Sequence, residues 1–341
     1  MKYLSQADFS FKDKRVLLRV DADVDLKKKG KKWTVDEDYR LICSLAAIRF
    51  LQEKQASQIV LLGHLGRPGG KIIPDLSLRP VADWYQKKLG NCFFISDQNI
   101  GKIQKDKEEK IILLENLRFF PGEEKNDPGF VQKLARWGDV FVNEAFGNSH
   151  RQQASIIGLP KILPSFLGLR VEGEVKTLTW LKKYAPQPIV FILGGSKEDK
   201  LNHLNFLASW PDYLLIGGKF PLLIKDKQKE KKKIIVAKIK KNGKDLQKES
   251  INNFKKIIKM AKTITWAGPM GVYEEKENAK GTKEIGQAIG QSTAFKIAGG
   301  GDTHRIISRL NLWSSFNFVS VGGGAMLEFL EKETLPGIAL L

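Results

Sequence analysis

The sequence has little cysteine and no long apolar run, and both shortages exclude classes of protein. Its 341 residues include two cysteines, Cys43 and Cys92, too few for a disulfide framework or a cysteine-based metal site. No apolar stretch approaches the length that crosses a bilayer. Residues 1–14 lack the basic region, apolar core and cleavage site of a signal peptide. We therefore expect a cytoplasmic protein with no membrane partner.

Acidic residues are also fewer than basic ones. The chain has 38 Asp and Glu against 57 Lys and Arg, a formal net charge of +19. Residues 225–262 contain 15 lysines and four acids and so supply +11 of it. This run has one aromatic residue, Phe254, and no recognition motif, so a solvated face is favoured over a nucleic-acid site. We expect no nucleic-acid partner, although binding by this run as a side function stays open.

Short apolar runs alternating with helical patterns are abundant. Runs at 15–20, 58–62, 110–114, 139–142 and 189–193 predict buried strands, and a helix is predicted from about Asp38. This alternation predicts an α/β fold with parallel sheets, and the length predicts two domains. We place the N-terminal domain at 1–165, an interdomain helix at 166–185, the C-terminal domain at 186–326, and a helix and tail at 327–341. The Lys27–Lys32 tract is predicted to be a polar turn.

Glycine turns follow apolar runs repeatedly in the second half of the chain. They lie at 194–195, 217–218, 299–301 and 322–324. Ligands of open α/β sheets bind beyond the carboxyl ends of the strands, where glycine lets backbone N–H groups approach a phosphate. Asp302 could hold Mg²⁺ beside that phosphate. One such turn could be only a helix cap, but their repetition predicts a phosphate-rich ligand.

Four arginines and one histidine lie in the segments that follow the predicted strands of the first half. The residues are Arg40, His64, Arg67, Arg118 and Arg151. Because the guanidinium fork matches phosphate and carboxylate, their convergence predicts a pocket for a small, multiply charged anion. Asp21 and Asp23 could accept hydrogen bonds from a ligand hydroxyl there. A single arginine or histidine would more often be structural.

The chain resembles phosphoglycerate kinases over nearly its whole length. The order and spacing of the matching segments carry this resemblance, since each alone is weak. The segments are Arg19-Val20-Asp21, Gly63-His64-Leu65-Gly66-Arg67-Pro68, Leu114-Glu115-Asn116-Leu117-Arg118-Phe119, residues 121–128, Ala145-Phe146-Gly147, His150-Arg151, Leu193-Gly194-Gly195, Gly268-Pro269-Met270-Gly271-Val272, residues 299–303, residues 322–325 and Leu335-Pro336-Gly337.

The resemblance implies a fold, a reaction and partners. The fold would be two doubly wound parallel-sheet domains facing a cleft, joined by a helix that serves as a hinge. The reaction would be reversible phosphoryl transfer between 1,3-bisphosphoglycerate and ADP, giving 3-phosphoglycerate and ATP in glycolysis. Mg²⁺ would accompany the nucleotide. The partners would be these small molecules, and the protein would be a monomer.

The resemblance also implies roles for residues. Those expected to act in catalysis are Arg40, Lys197, Gly301 and Gly324. Those expected to bind phosphoglycerate are Asp21, Asp23, Arg40, His64, Leu65, Gly66, Arg67, Arg118 and Arg151. Those expected to bind nucleotide are Lys200, Glu274, Gly300, Gly301, Asp302 and Thr303, with Asp302 as the metal ligand. Residues 322–324 could add backbone N–H donors.

Several positions depart from the family pattern. Asp23 and Asp25 stand where the family has Asn and Pro, and Ala267 replaces an Asn. Lys197 and Lys200 are three residues apart, where the family's two lysines are four apart, and the segment before Trp266 is short. These differences keep a second hypothesis open, a homologue that binds its ligands but transfers the phosphoryl group poorly.

Overall fold

A computed structural model of the chain describes residues 1–30, 32–96, 100, 110–224 and 233–341. The chain divides into two compact units, residues 1–176 with 334–341, and residues 177–333. Each unit is built on its own parallel sheet. This confirms the predicted α/β class with two parallel sheets. Within the described residues, no helix combines the length and apolar character needed to cross a bilayer.

The first unit has a six-stranded sheet in the order β5-β6-β4-β1-β7-β8 and a separate hairpin, β2-β3. Its strands are β1 (Arg15–Arg19), β2 (Leu26–Lys29), β3 (Lys32–Val35), β4 (Gln58–Leu62), β5 (Phe93–Ile95), β6 (Ile111–Leu114), β7 (Val140–Asn143) and β8 (Ser165–Leu167). Its helices are α1 (Tyr39–Glu53), α2 (Arg79–Leu89), α3 (Pro121–Glu124), α4 (Pro128–Ala135) and most of α5 (Leu169–Tyr184).

Successive side chains of β1 point to opposite faces of the sheet, and both faces are buried. Val16 and Leu18 pack into one apolar cluster with Ile59 and Leu61 of β4. Leu17 points to the opposite face and joins a second cluster that includes Val60 and Leu62. Since both faces are covered, nearly every strand residue is apolar, which is why the apolar runs could be recognised in the sequence.

Two local predictions in the first unit differ in detail from the structure. The Lys27–Lys32 tract is not only a turn, because its two ends belong to the antiparallel strands β2 and β3. The helix predicted from residue 166 begins at Leu169, because Ser165–Leu167 pairs with β7 as an edge strand. Each of these strands has only three or four residues, too few for a recognisable pattern, and is stabilised by pairing with its partner strand.

The second unit has six strands in the order β11-β10-β9-β12-β13-β14, all parallel. They are β9 (Ile189–Leu193), β10 (Tyr213–Ile216), β11 (Ile234–Val236), β12 (Thr263–Ala267), β13 (Phe295–Gly299) and β14 (Phe318–Ser320). The helices are α6 (Leu204–Ser209), α7 (Lys248–Met260), α8 (Lys280–Gln291), α9 (Gly301–Arg309) and α10 (Gly323–Lys332). Strand order reverses between β9 and β12, which makes that gap the switch point where ligands of such sheets bind.

The C-terminal segment returns to the first unit. Its helix, α11 (Pro336–Ala339), follows the boundary at residue 334. The Gly337 N–H donates to the Ser149 carbonyl at 2.8 Å, and the Gly337 carbonyl accepts from Asn143 Nδ2 at 3.0 Å. The tail therefore supports the loop that follows β7.

Candidate functional site

The charged residues of the first unit gather beyond the carboxyl ends of β1, β4 and β6. Residues 20–25 follow β1, Gly63 and His64 follow β4, and Arg118 lies just beyond β6. Arg40 is on the first turn of α1. Because the strands are parallel and adjacent, these segments share one edge of the sheet.

Asp21 and Arg40 form a buried ion pair at this edge. Arg40 Nη1 lies 3.5 Å from Asp21 Oδ1, with the side chains 16% and 4% exposed. Burial raises the pKa of Asp21, and the Arg40 charge offsets part of that rise. Burial by itself would lower the pKa of Arg40. The negative charges of Asp21 and Asp23 act in the opposite direction and raise the pKa of Arg40 above its ordinary value. Arg40 therefore stays cationic.

Asp23 connects the segment after β1 to the loop after β4. Its Oδ1 accepts a hydrogen bond from the Gly66 N–H at 2.9 Å, and its backbone carbonyl accepts one from Arg40 Nη1. The Gly66 carbonyl accepts from Arg118 Nη1 at 2.8 Å. The Asp23 carboxylate, which stands where the family has Asn, is 41% exposed and lies among these cations.

His64 is a buried, uncharged imidazole in this cluster. Its side chain is 2% exposed, and its Nε2 lies 3.9 Å from Asp23 Oδ2. Burial lowers the pKa of His64 well below its ordinary 6.5, and the charges of surrounding arginines lower it further. Those arginines are Arg19, Arg118, Arg40 and Arg151. A neutral imidazole can still donate one hydrogen bond to an anion.

The remaining predicted substrate residues differ in their positions. Arg151 is exposed, yet near enough for its charge to lower the pKa values of His64 and Arg118. Arg67 is exposed on the loop after β4. The Leu65 side chain packs in the core, and its carbonyl accepts from Asn116 Nδ2 at 2.8 Å. Leu65 can therefore contribute to a ligand site through its backbone alone.

Replacing Asp23 by Asn is expected to tighten phosphoglycerate binding. The amide oxygen can still accept from Gly66, so the loop is preserved, while one negative charge beside the anion pocket is removed. At a half-exposed site this is worth on the order of 1 kcal/mol, or about fivefold in Kd. Calorimetric titration with 3-phosphoglycerate measures it. Unchanged or weaker binding would show that the carboxylate is a substrate acceptor or points away from the ligand.

The second unit places its candidate site at the switch point between β9 and β12. Lys200 Nζ donates to the carbonyls of Gly194 and Ala267, at 3.0 and 3.1 Å, and so joins the residue after β9 to the last residue of β12. Lys200 is 8% exposed. Burial lowers the pKa of Lys200 to about 8, although the Asp302 carboxylate acts in the opposite direction. Gly268 is required here, because a Cβ would lie 2.7 Å from Lys200 Nζ and its φ is +106°.

The glycine turns of this unit are not equivalent. The N–H groups of Gly194 and Gly195 donate to the Ala267 and Pro269 carbonyls, and those of Gly217 and Gly218 donate to Leu193 and Met270. These two turns thus join neighbouring segments, and their N–H groups are already used. The turns after β13 and β14 instead open helices α9 and α10, whose first N–H groups face away from the helix body.

Asp302 is in the first turn of α9, where a metal-bound phosphate would be favoured by the helix dipole. Its carboxylate is 34% exposed and lies 3.7 Å from Arg305 Nη1. Thr303 is buried, donates to the Gly299 carbonyl and accepts from the Gly268 N–H, both at 2.9 Å. The Thr303 side chain therefore anchors the start of α9, which leaves its backbone N–H for a ligand.

Gly300 and Gly323 bring the starts of α9 and α10 together. A Cβ on Gly323 would lie 3.0 Å from Gly300 Cα, and Gly300 has a φ of +102°. Gly301 begins α9, and Gly324 follows Gly323 in α10. A Cβ on Gly324 would meet no atom of the described residues within 4 Å, so this glycine faces open space. The two helix N-termini therefore share one small region of the unit.

A cavity of about 470 Å³ lies at this edge of the second sheet. Its lining includes predicted residues Asp302 and Glu274, and also Lys219 and Lys244, to which the sequence pattern assigned no role. Lys244 is paired with Glu275 at 2.8 Å and Lys219 with Glu198 at 3.4 Å. Lys197 is exposed at the start of the helical turn Glu198–His203. The sequence signal that could have identified Lys219 was its position directly after the Gly217-Gly218 turn.

The basic run contributes a different surface. Residues 225–232 lie outside the described residues. Farther along the run, Lys255, Lys256 and Lys259 of α7 line a second cavity, of about 580 Å³, with Gln291 and Thr293. Lys255 pairs with Glu284 at 3.1 Å. Exposed lysines along one helix face are consistent with the solvated face that the sequence favoured.

Known proteins match this chain in sequence over nearly its whole length. A family model described as "Phosphoglycerate kinase" matches residues 6–231 and 221–333. The phosphoglycerate kinase of Pseudothermotoga lettingae is 35% identical, with 99% of this chain and 98% of that protein covered. That of Chlorobium phaeobacteroides is 36% identical, with both chains covered completely.

Solved structures match the fold. The phosphoglycerate kinase of Pyrococcus horikoshii OT3 has a TM-score of 0.84 at 27% identity, covering 100% of this chain and 98% of that one. The enzyme from Coxiella burnetii has a TM-score of 0.77 at 30% identity, with coverage of 98% and 97%. The likeness therefore includes both parallel-sheet units.

Proposed function

The chain belongs to the phosphoglycerate kinase family, and on that basis we propose how its two units divide the reaction. The reaction is reversible phosphoryl transfer between 1,3-bisphosphoglycerate and ADP, which gives 3-phosphoglycerate and ATP in glycolysis. The first unit binds the phosphoglycerate and the second binds the nucleotide. The observation that carries this division is the placement of an arginine–histidine cluster and a glycine-lined cavity at the ligand-binding edges of separate sheets.

The first unit suits a small, multiply charged anion with a hydroxyl group. Arg40 and Arg118 supply guanidinium groups, and neutral His64 supplies one further donor. Arg67 and Arg151 are exposed and can reach an anion from the rim. Asp21 holds Arg40 in place, and its carboxylate can accept from the substrate hydroxyl. Burial strengthens these contacts because little water competes for them.

The second unit suits the phosphates of a nucleotide. The N-termini of α9 and α10 offer the N–H groups of Gly300, Gly301 and Gly324, and Glu274 can accept from a ribose hydroxyl in the cavity. Lys200 cross-links the carboxyl ends of β9 and β12, so its role is to maintain the shape of the site and its local positive charge. Lys197, exposed beside the cavity lining at Ser196, is a cation that can follow the transferring group.

Asp302 fits a nucleotide-bound Mg²⁺. Mg²⁺ is usually held by one or two carboxylates together with substrate phosphates and water. Asp302 supplies one such carboxylate in the cavity lining, and the described residues contain no cluster of three or more ligating side chains. When bound, the metal would neutralise phosphate charge during transfer. The residues of each unit then hold that unit's substrate in a fixed orientation.

A coupled assay for ATP formation from 1,3-bisphosphoglycerate and ADP tests the proposal. We expect turnover typical of a metabolic enzyme, on the order of 10 s⁻¹ or above. Tight ligand binding without turnover would instead support a homologue that has lost efficient transfer, which no observation favours. The proposal also includes a monomeric cytoplasmic enzyme without a nucleic-acid partner. Light scattering tests the monomeric state, and a salt-dependent mobility shift with bulk RNA tests the absence of a nucleic-acid partner.

Replacing Asp302 by Ala is expected to weaken Mg-ADP binding by roughly 10²-fold, the scale of one charge-assisted contact. Affinity for 3-phosphoglycerate should stay unchanged, because that ligand is assigned to the first unit. Calorimetry with Mg-ADP, metal-free ADP and 3-phosphoglycerate measures all three. Metal-free ADP should bind the variant at least as tightly as the parent, because no metal ligand is lost and one negative charge beside the phosphates is removed.

Arg305→Met is the matched control, since it breaks the Asp302–Arg305 pair while keeping the carboxylate. We expect it to leave Mg-ADP affinity within about twofold. Equal loss of both ligands in the Asp302 variant would contradict the assignment of the two ligands to separate units.

A further inference from the structure

A chain of buried polar contacts lies behind His64. Glu123 accepts hydrogen bonds from the backbone N–H and the hydroxyl of Ser155, at 3.0 and 2.6 Å. The Ser155 hydroxyl oxygen accepts from Arg19 Nε at 2.8 Å. Arg19 Nη2 in turn lies 3.0 Å from His64 Nδ1. Glu123, Ser155 and Arg19 each have 0% exposure, so water does not substitute for these contacts.

The contact with Arg19 decides which nitrogen of His64 carries the proton. A guanidinium group only donates, so His64 Nδ1 must accept, and the proton of the neutral ring is on Nε2. Nε2 lies 3.9 Å from Asp23 Oδ2, which is too long for a hydrogen bond. The Nε2–H group of His64 therefore remains available for a ligand at the sheet edge where the arginines gather.

Arg19 needs the two residues behind it. A buried guanidinium without a countercharge is costly, and Glu123 supplies that charge through the Ser155 hydroxyl. Arg19 Nη1 also donates to the Val20 carbonyl at 2.6 Å, which fixes the plane of its fork. With Nε and Nη1 held, Arg19 presents Nη2 to His64 in one orientation.

We propose that Glu123 and Ser155 are positioning residues of the phosphoglycerate site, which act through Arg19 to hold His64 as a neutral Nε2–H donor. This inference rests on the assignment of phosphoglycerate to the first unit. None of the three is a catalytic residue, since each reaches the ligand only through His64. Their effect should thus be on substrate affinity and on the protonation of His64.

The charges around His64 explain the expected pH dependence. The groups facing it are Arg19 and Asp23 from the β1 segment, Arg40 from α1, Arg118 from the segment after β6, and Arg151. Four of them are cations, which together with burial keep the ring neutral. If Arg19 turns away, one of these cations and the Nδ1 contact are lost, and the pKa of His64 rises toward its ordinary value.

Ser155→Ala tests the inference because it breaks the link while keeping both charges. Nitrogen NMR of the ligand-free parent should show His64 with the proton on Nε2 and no titration between about pH 8 and pH 6. In the variant, the two tautomers should mix and the ring should titrate. The KM for 3-phosphoglycerate should rise roughly tenfold at pH 8, the loss expected for one hydrogen bond to a charged group, with kcat within about twofold.

The variant-to-parent ratio of KM should fall as the pH decreases, because a protonated His64 attracts the anion again. Using the ratio cancels the titration of the substrate itself. Ser165→Ala is the matched control, since Ser165 is also buried in the first unit and its hydroxyl donates to the Leu163 carbonyl. It should change neither the His64 spectrum nor the KM ratio. Thermal unfolding of both variants shows whether each is folded.

Three results would overturn the inference. They are a parent His64 with its proton on Nδ1, a parent His64 charged at neutral pH, and a folded Ser155→Ala variant with parental KM and tautomer. The parent spectrum decides the first two even if the variant unfolds. A parent protein that does not turn over phosphoglycerate would instead contradict the proposed function, and the ligand-free spectrum would still report on the positioning chain.

Discussion

Replacing Arg40 by Met should lower kcat/KM for 3-phosphoglycerate by about 10³-fold, or roughly 4 kcal/mol. Arg40 is a permanently charged fork that is mostly buried, held by Asp21 at 3.5 Å and by the Asp23 carbonyl. Its contact with a transferring phosphoryl group would strengthen as charge develops, so the loss should be largest in kcat. The Kd for Mg-ADP should not change, because Arg40 belongs to the first unit. Steady-state kinetics and calorimetry measure both quantities.

The same substitution removes the partner of a buried carboxylate, so stability must be separated from catalysis. Without Arg40, the pKa of Asp21 should rise further. A raised carboxylate pKa means that the folded state binds its proton more tightly than the unfolded state does. The variant should therefore lose more stability at pH 8 than at pH 5.

Asp21→Asn in the Arg40→Met background provides the control. It removes the unpaired charge and should recover most of the lost thermal stability, while kcat/KM stays low. Recovery of activity in the double variant would mean that Arg40 acts only as the partner of Asp21. The single variant Arg40→Lys keeps the charge but loses the fork, and an intermediate loss of activity is expected.

Replacing Lys197 by Ala is expected to lower kcat by about 10²-fold or more, roughly 3 kcal/mol, with little change in the Kd of either substrate. Lys197 is exposed, directly after the Gly194-Gly195-Ser196 turn at the switch point of the second sheet. An exposed lysine gains little from ground-state binding but can meet the charge of a phosphoryl group in transfer. Rapid-quench single-turnover kinetics would separate this step from product release.

Lys200→Met is the contrasting variant, since Lys200 is buried and bound to two carbonyls. It should weaken Mg-ADP binding and lower stability, with a smaller effect on kcat. Since the pKa of Lys200 is lowered to about 8, the unfolded state binds its proton more tightly, and the parent should gain stability as the pH rises from about 8 toward 10.5. The Met variant should lack that gain. If Lys200→Met shows the kcat defect and Lys197→Ala only a binding defect, the two roles are exchanged.

The sequence determined the fold class and the sheet edges at which the candidate ligand-binding residues lie. Strands buried on both faces must be apolar throughout, so β1, β4 and β9 could be recognised as runs. Glycine and charged residues placed directly after such runs must lie at the carboxyl edge of a parallel sheet, whatever the rest of the chain does. For this reason His64, Arg118 and Asp302 could be selected from their positions relative to the apolar runs.

Only the tertiary structure decided how each of these residues is used. Arg19 and Ser155 are 136 positions apart, and no local pattern shows that they share a hydrogen bond. Lys197 and Lys200 look alike in the sequence, but packing exposes one and buries the other between two carbonyls. The glycine turns also look alike, yet those after β9 and β10 donate their N–H groups to neighbouring segments, whereas those after β13 and β14 open helices. Burial and hydrogen-bond partners depend on contacts between distant segments, which residue order alone does not specify.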